Sequence, residues 1–248
     1  MSALRFFDCN ARIGRSSAPR PEHLLDPSGL LAEMDRAGLE RALVYHTWSV
    51  EWDAKAGNDA LHKEIAAEDR LYPCFAALPS ATQELPPPRE FAQQVRTLRG
   101  AVRLFPTQHQ FALSEVSCGH LLDALSFERV PVLIDIGQTN WREVGEILAR
   151  HPALNLIVLN TYYRIDRFLY PLLARFGNLY LESGSYGVHR GIEALCQRFG
   201  AERLVFGTDL PVHEVGGPMA LVTYAPLPDA DKQLIAGGNL CRLLGVCD

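Results

Sequence analysis

Several features that mark other classes of protein are missing from this chain of 248 residues. Its six cysteines are scattered and include no Cys-x-x-Cys pair, so neither a disulfide framework nor a zinc ribbon is expected. No uninterrupted apolar run is long enough to span a membrane, and the first residues contain no apolar signal core. We therefore expect free thiols, no membrane partner and a cytoplasmic location.

Lysine is also scarce, because only three of the 24 basic residues are lysines. The formal net charge is −5, and no run of basic residues occurs. Nucleic-acid binding requires a concentrated basic face, so we expect no nucleic-acid partner. Arginine suits fixed, bidentate recognition of carboxylates better than lysine does. A general coding bias would explain the same ratio without any functional role.

What the sequence does contain is a repeated alternation of short apolar runs and amphipathic stretches. The runs read as strands buried on both faces. They are Leu4–Cys9, Ala42–His46, Leu71–Ala76, Ala101–Phe105, Pro131–Asp135, Asn155–Asn160, Leu179–Glu182 and Arg203–Phe206. The stretches predict helices, several of which end at glycine. They are Leu30–Ala37, Pro88–Leu98, Trp141–Arg150, Ile165–Phe176, His189–Phe199 and Asp229–Leu244.

Eight such units in this length correspond to about 31 residues each, the size expected for a (β/α)8 barrel. The predicted fold class is therefore α/β, a (β/α)8 TIM barrel. We expect a single domain over residues 1–248, with a C-terminal helix packed on the barrel. A doubly wound open sheet is the alternative. Against it, the first strand is not followed by a glycine-rich phosphate turn, and no Gly-x-Gly-x-x-Gly or Walker motif occurs.

In such a barrel, functional residues lie at the C-terminal ends of the strands. Polar side chains occupy most of these ends. They are Asp8, Asn10, Arg12, Tyr45, His46, Arg103, Asp135, Asn160, Glu182, Ser183, Asp209 and His213. Each one alone could be a solvated loop residue or part of an ion pair at the barrel mouth. Their coincidence at one end predicts a pocket rich in charged and hydrogen-bonding groups.

Motifs along nearly the whole chain resemble those of a known family. The two most specific are Arg203–Pro211, which reads RLVFGTDLP, and Gly238–Leu244, which reads GNLCRLL. Weaker ones are Phe7–Gly14, Leu30–Leu43, Gly100–Leu104, Pro131–Asp135 and Pro152–Asn160. Together they resemble the amidohydrolase superfamily, in the amidohydrolase-related (amidohydrolase 2) branch of metal-dependent TIM-barrel hydrolases, which includes decarboxylases and lactonases. The resemblance implies a TIM barrel with hydrolase-like activity, and it makes a homodimer possible.

The resemblance also implies a metal site, from which this sequence departs. The family usually holds its metal with two histidines on the first strand, one each on the fifth and sixth, and an aspartate on the eighth. The matching positions here are Asn10, Arg12, Asp135, Asn160 and Asp209. Asparagine is a weak neutral ligand, and arginine has no acceptor atom. We therefore expect a degenerate metal site and no cofactor.

Arg12 is expected to stand where the charge of the metal would be. A guanidinium ~4 Å from a divalent ion would repel it by roughly 8 kcal/mol at an effective dielectric constant of ~20. Pairing of Arg12 with Asp135 or Asp209 is therefore predicted. The alternative is a divalent metal such as zinc on these two carboxylates and water, with or without His46 or Asp8.

The predicted function is that of an amidohydrolase-like hydrolase without the usual metal, acting on a small carboxylated or cyclic ester or amide of lactone type. Asp209, as general base, and His46 and Asp135 are predicted to be catalytic. The predicted substrate-binding residues are Asn10, Arg12, Arg103, Asn160, Glu182 and His213. Two other functions stay open: a non-catalytic barrel that binds a small anionic molecule, and a metal hydrolase with atypical ligands.

Some of these residues also have a structural interpretation. His46 and His213 could be rim residues with no contact to substrate, and Arg103 could form an ion pair with Glu182 inside the barrel.

Overall fold

The computed structural model describes residues 4–17 and 26–247, in which strands and helices alternate. The strands are β1 (Phe6–Ile13), β2 (Leu39–His46), β3 (Leu71–Ala77), β4 (Ala101–Leu104), β5 (Val132–Asp135), β6 (Leu156–Leu159), β7 (Leu179–Glu182) and β8 (Leu204–Val205). The helices are α1 (Pro27–Ala37), α2 (Trp48–Glu51), α3 (Ala54–Glu64), α4 (Pro88–Thr97), α5 (Glu115–Phe127), α6 (Trp141–Arg150), α7 (Asp166–Arg175), α8 (Gly191–Phe199), α9 (Gly216–Thr223), α10 (Asp229–Gln233) and α11 (Asn239–Leu244).

The strands form one parallel sheet whose spatial order is the order of the chain, from β1 to β8. Backbone hydrogen bonds bring the last strand segment back to the first. The N–H of Cys9 donates to the carbonyl of Phe206 at 2.9 Å, and the N–H of Arg12 donates to that of Leu210 at 3.0 Å. The predicted TIM barrel is confirmed, and the open doubly wound sheet is not formed.

Alternation along the strands divides the apolar side chains between two clusters, as the period of two requires. One cluster fills the barrel and includes Phe7, Cys9, Leu43, Tyr45, Cys74, Leu133, Ile157, Tyr180 and Val205. The other lies between the strands and the surrounding helices and includes Ala42, Val44, Val102, Leu104, Ile134, Val158, Leu181 and Phe206. This alternation decides which polar residues at the strand ends can face the barrel mouth.

A register shift in β1 changes the facing of its later residues. The pairing of β1 with β2 slips between Asp8 and Ala11, as in a β-bulge. Ala11 and Ile13 then pack in the outer cluster. Asn10 and Arg12 are therefore on the inner side, close to the groups that end β4 and β8.

The helices absent from the sequence-based prediction have no clear apolar stripe. The buried positions of α3 are Ala54, Gly57, Asn58 and Leu61, which are mostly small or polar. Asn58 is nevertheless structural, because its side-chain amide exchanges hydrogen bonds with the backbone of Ala76 at 2.8 and 2.9 Å. In α5 and α9, apolar side chains are exposed as well as buried, which removes the periodic signal. Helix α2 has only four residues, of which Ser49 is the buried one.

The predicted C-terminal helix is present but is not one regular α-helix. A π-helical segment, Leu234–Gly238, joins α10 to α11. At Gly237 a side chain would meet the carbonyl oxygen of Arg5 at 2.6 Å, so the absence of a Cβ lets the segment pack against β1. The buried amide of Asn239 donates to the carbonyls of Ala201 and Leu204 at 2.9 and 2.8 Å. Gly237 therefore lets this helix pack against β1, and Asn239 of the closing motif fastens it to the base of β8.

The cysteines are free thiols, as predicted. Within residues 4–17 and 26–247, no helix has both the length and the apolar character that crossing a membrane requires.

Candidate active site

Arg103 and Asn10 form a deeply buried polar pair at the C-terminal end of the barrel. Nη1 of Arg103 donates to Oδ1 of Asn10 at 2.7 Å, and the two residues are 4% and 1% exposed. The guanidinium carbon lies 4.5 Å from the ring centre of Tyr45 and 5.2 Å from that of Phe105. Nε of Arg103 and Nδ2 of Asn10 are buried and have no hydrogen-bond partner among the described residues. They are two N–H donors without an acceptor.

A second group links the ends of β5, β6 and β7. Nδ2 of Asn160 donates to Oδ2 of Asp135 at 2.5 Å, and the backbone N–H of Asn160 approaches Oε2 of Glu182 at 3.4 Å. The other donors to Glu182 are the backbone N–H groups of Gly184 and Ser185 and the hydroxyl of Ser185. Glu182 is thus held by the loop that follows its own strand. No ion pair between Arg103 and Glu182 occurs within the described ranges.

Asp209 and His213 form a third group after β8. Nδ1 of His213 lies 3.2 Å from Oδ2 of Asp209, whose side chain is 18% exposed. Burial raises the pKa of Asp209, and the positive charges of Arg103, Arg12 and His213 partly oppose this rise. The net rise brings the pKa of this carboxyl closer to the range in which a general base works near neutral pH.

Arg12 does not form the predicted ion pair. Its side chain is half-buried, and within the described residues it has no carboxylate partner within 4 Å. Its charge still lowers the pKa of both Asp209 and Glu51. Arg12 therefore acts on the site electrostatically, and its donors are not taken up by Asp135 or Asp209.

His46 is the one predicted site residue that the structure places away from this group. Its neighbour Val44 packs in the outer cluster, and His46 follows the same alternation. Its Nδ1 accepts from the backbone N–H of Trp48 at 3.1 Å, and its Nε2 lies 3.7 Å from Glu64 of α3. The ring covers Gly14, where an added Cβ would come within 2.5 Å of it. Burial lowers the pKa of His46, against the effect of Glu64.

Two buried carboxyl groups keep their protons at unusually high pH. Burial raises the pKa of Glu182 from 4.5 to about 7 and that of Asp8 from 3.8 to about 6, although hydrogen bonds to both act in the opposite direction. Asp8 accepts from the backbone N–H of Thr208 at 3.0 Å and from the hydroxyl of the same residue. It therefore ties β1 to the segment after β8.

These raised pKa values predict a pH-dependent stability. A group with a higher pKa in the folded state holds a proton that the unfolded chain releases. Its stabilising effect is complete below its unfolded pKa and is lost as the pH rises through its folded pKa. Between about pH 4 and pH 8, titration of Glu182 should lower the free energy of unfolding of the wild type by about 3 kcal/mol. We expect this decrease to be absent in Glu182→Gln. Urea titrations at several pH values measure this.

The matched control is Glu146→Gln, because Glu146 is 59% exposed on α6. Its pH profile is expected to parallel that of the wild type. Parallel profiles for the wild type and Glu182→Gln would show that Glu182 titrates normally in the folded protein.

A cavity of about 350 Å³ lies at the mouth of the barrel, above the second and third groups. The side chains that line it include Asn160, Tyr162, Glu182, Ser185, Thr208, Asp209, His213 and Glu214. Arg103 and Asn10 are buried and do not line the cavity, but the charge of Arg103 acts on Asp209. Sequence reasoning offered Tyr162 as a residue that walls a pocket or covers the barrel rim, but it missed Ser185 and Thr208 as site residues, because they lie in loops that carry no recognisable pattern. Ser185 and Thr208 could have been sought as donors to the buried acids Glu182 and Asp8.

The donor set of this site does not suit a divalent metal. Both oxygens of Asp135 are engaged, by the N–H of Gly137 at 2.7 Å and by Asn160. The oxygen of Asn10 is engaged by Arg103. Within the described parts of the chain, no group of three or more His, Cys, Asp or Glu side chains is arranged to hold a metal ion. Two guanidinium charges act on Asp209, the one remaining carboxylate of the set.

Comparison with known proteins gives both sequence and structural matches. A family model described as amidohydrolase matches residues 18–246. No curated protein matches the sequence.

Three solved structures share the fold. An uncharacterised TIM-barrel protein from Bordetella bronchiseptica is 19% identical, with a TM-score of 0.76 over 98% of this chain and 99% of that one. The 5-carboxyvanillate decarboxylase of Sphingomonas paucimobilis is 15% identical, with a TM-score of 0.75 over 99% and 100% of the two chains. A dihydroxybenzoic acid decarboxylase of Polaromonas sp. JS666, solved with manganese and 2-nitroresorcinol, is 15% identical, with a TM-score of 0.76 over 98% of both chains.

Proposed function

The chain belongs to the amidohydrolase family, and from that premise we propose that it is an enzyme that hydrolyses a small carboxylated ester or lactone without a catalytic metal. One observation carries the proposal. Arg103 and Asn10 carry two buried N–H donors without an acceptor among the described residues, and the charge of Arg103 acts on Asp209, a carboxyl with a raised pKa. A cationic donor pair and a poised base are what ester hydrolysis requires.

The donor pair supplies the electrostatic stabilisation that a metal supplies elsewhere. A substrate oxygen that reaches Nε of Arg103 and Nδ2 of Asn10 would accept from both as it becomes negative in the transition state. Both donors are already fixed, Arg103 by its contacts with two aromatic rings and Asn10 by its bond to Arg103. Fixed donors need no reorganisation as charge develops, which makes them effective.

Asp209 provides the proton transfers. Its carboxylate takes a proton from water while the water oxygen attacks the carbonyl carbon and the oxyanion forms beside Arg103 and Asn10. The bond between that carbon and the leaving oxygen then breaks, and Asp209 returns the proton to the departing alkoxide. One water is consumed, and an acid and an alcohol are formed. His213, 3.2 Å from Asp209, holds the carboxylate in position.

The remaining residues bind and orient the substrate. Arg12, which is half-buried and has no ion-pair partner within 4 Å in the described ranges, holds the substrate carboxylate. The hydrogen-bonded pair Asp135 and Asn160 and the loop around Glu182 fix its other polar groups. No role is assigned to His46, since its imidazole is directed toward Glu64.

A second candidate is decarboxylation of an aromatic acid. It is favoured by the likeness in fold, over the full chain, to a 5-carboxyvanillate decarboxylase and a dihydroxybenzoic acid decarboxylase. Both candidates share an anionic small-molecule substrate. Hydrolysis is preferred because a guanidinium bound to a substrate carboxylate stabilises the ground state, which opposes loss of that carboxylate as CO2.

The test is a product-identified assay on a panel of carboxylated lactones and esters together with 5-carboxyvanillate. Chromatography would follow ring opening or ester cleavage, and a coupled assay would follow CO2. Ring opening or cleavage that persists in the presence of a chelator is the expected result. Release of CO2 would replace hydrolysis with the second candidate. Saturable binding without any product would identify a non-catalytic binding protein and contradict the proposal.

A further inference from the structure

The loop that follows β6 has an unusual backbone. Asn160, Tyr162 and Arg164 all have positive φ angles, of 54°, 55° and 64°. Asparagine tolerates this left-handed region, but an aromatic residue does not adopt it without steric cost. Such conformations persist only where the surroundings determine them, and they are concentrated at functional sites. The cost at Tyr162 therefore needs an explanation.

Hydrogen bonds to the loop after β7 hold this conformation. The N–H of Gly187 donates to the carbonyl of Tyr162 at 3.1 Å. The N–H of Thr161 donates to the hydroxyl of Ser185 at 3.2 Å. The loop after β6 contributes only backbone atoms to these contacts. A glycine at position 162 would therefore keep both contacts and remove the steric cost.

Core packing does not explain the tyrosine either. Tyr162 is 54% exposed, so its ring contributes little to the core. The adjacent Tyr163 is exposed to a similar extent, and its ring lies 5.4 Å from the guanidinium of Arg164. Tyr162, unlike Tyr163, lines the cavity that contains Asp209, Glu182 and His213.

The hydroxyl of Tyr162 is suited to donate a hydrogen bond inside that cavity. Partial burial raises its pKa, and the negative charges of Asp135, Asp209 and Glu182 raise it further. The phenol therefore keeps its proton at neutral pH. Its oxygen has no hydrogen-bond partner among the described residues.

We propose that Tyr162 is a substrate-binding residue. Its phenol O–H donates to the anionic group of a substrate in the cavity, and its ring covers the cavity opening above Asp209. The left-handed backbone is retained because it directs the ring there. This inference rests on the proposed function, from which it takes that the cavity holds a small carboxylate.

Two substitutions separate the effect of the hydroxyl group from that of the backbone conformation. Tyr162→Phe removes only the O–H and is expected to weaken binding of benzoate and 5-carboxyvanillate about tenfold, with an unchanged Tm. Tyr162→Gly removes the ring and the steric cost together. It is expected to weaken binding more than Tyr162→Phe does, while the Tm stays the same or rises. Isothermal titration calorimetry and thermal melts measure the two effects.

Each substitution has a matched control. Tyr163→Phe removes a hydroxyl from the neighbouring exposed ring. Arg129→Gly relieves a positive φ of 55° in the turn between α5 and β5, at the opposite end of the barrel. Both controls are expected to bind the two probes as the wild type does, and Arg129→Gly is expected to raise the Tm.

The outcomes distinguish this inference from the proposed function. If Tyr162→Phe and Tyr162→Gly bind like the wild type while Arg12→Met loses binding, the role of Tyr162 is contradicted and the proposed function stands. If the wild type binds neither probe, or Arg12→Met binds as well as it does, the proposed function fails and the role of Tyr162 fails with it. Should Tyr162→Gly not fold, Tyr162→Phe decides the matter alone.

Discussion

Asp209→Asn is expected to lower kcat by roughly 10²- to 10⁴-fold while the substrate still binds. The amide has nearly the shape of the carboxylate but cannot take the proton of the attacking water. Because the proposed role of the carboxylate is to take that proton, the loss falls on the chemical step and not on the Kd. Steady-state kinetics on the lactone or ester that the panel identifies, together with calorimetric binding, measure the two quantities separately.

Glu214→Gln is the matched control for this variant. Glu214 also lines the cavity, but its side chain is 92% exposed, so its loss should leave kcat within about twofold of the wild-type value. A kcat for Asp209→Asn close to that of the control would remove Asp209 as the base and contradict the mechanism.

Arg103→Met is expected to lower kcat by roughly 10²- to 10³-fold. Methionine fills much of the space between Tyr45 and Phe105, but the buried cation beside Asn10 is lost. Because Arg103 is proposed to donate to the oxygen that becomes negative in the transition state, the loss falls on the chemical step. Steady-state kinetics on the substrate that the panel identifies test this, with Arg142→Met as the control, since Arg142 is 85% exposed on α6.

The same variant should also shift the pH profile. Arg103 opposes the rise in the pKa of Asp209 that burial causes. Without the cation that pKa rises further, so the acid limb of kcat/KM moves to higher pH in Arg103→Met. An unchanged kcat and an unshifted limb would mean that the substrate does not reach Arg103.

The fold was predictable because its signals are repeated along the chain. Eight apolar runs, separated by helical stretches that end in glycine, leave few topologies open. The prediction of individual helices failed where their residues do not follow the repeated apolar pattern. Helix α3 buries Gly57 and Asn58 instead of an apolar stripe, and the C-terminal helix contains a π-helical turn that only its packing on β1 explains.

The site was predictable to the level of which strand ends carry polar groups, but not to the level of which way they face. His46 ends β2 and was expected in the site, yet strand alternation turns it outward toward Glu64. Asn10 and Arg12 face inward only because β1 shifts its register before Ala11. No pattern in a single sequence marks that shift.

The contacts within the site were less predictable still. Arg12 was expected to pair with Asp135 or Asp209, but the amide of Asn160 occupies Asp135 and His213 lies beside Asp209. Arg103 forms no ion pair with Glu182 among the described residues; its Nη1 donates to Asn10, and its role as an anion holder stays a prediction. Tyr162 lines the cavity and has a left-handed backbone conformation, which the presence of a tyrosine does not predict.

In this account, the role that a metal plays in related enzymes falls to Arg103, Arg12 and Asn10. The metal content of the purified protein tests this claim most directly. Inductively coupled plasma mass spectrometry would be applied to protein purified without a histidine tag, before and after incubation with manganese and zinc. We expect only trace metal in both samples and an activity that a chelator does not change. About one ion per chain, with activity lost on chelation, would contradict the account. It would instead establish a metal enzyme that uses Asp135 and Asp209 as atypical ligands.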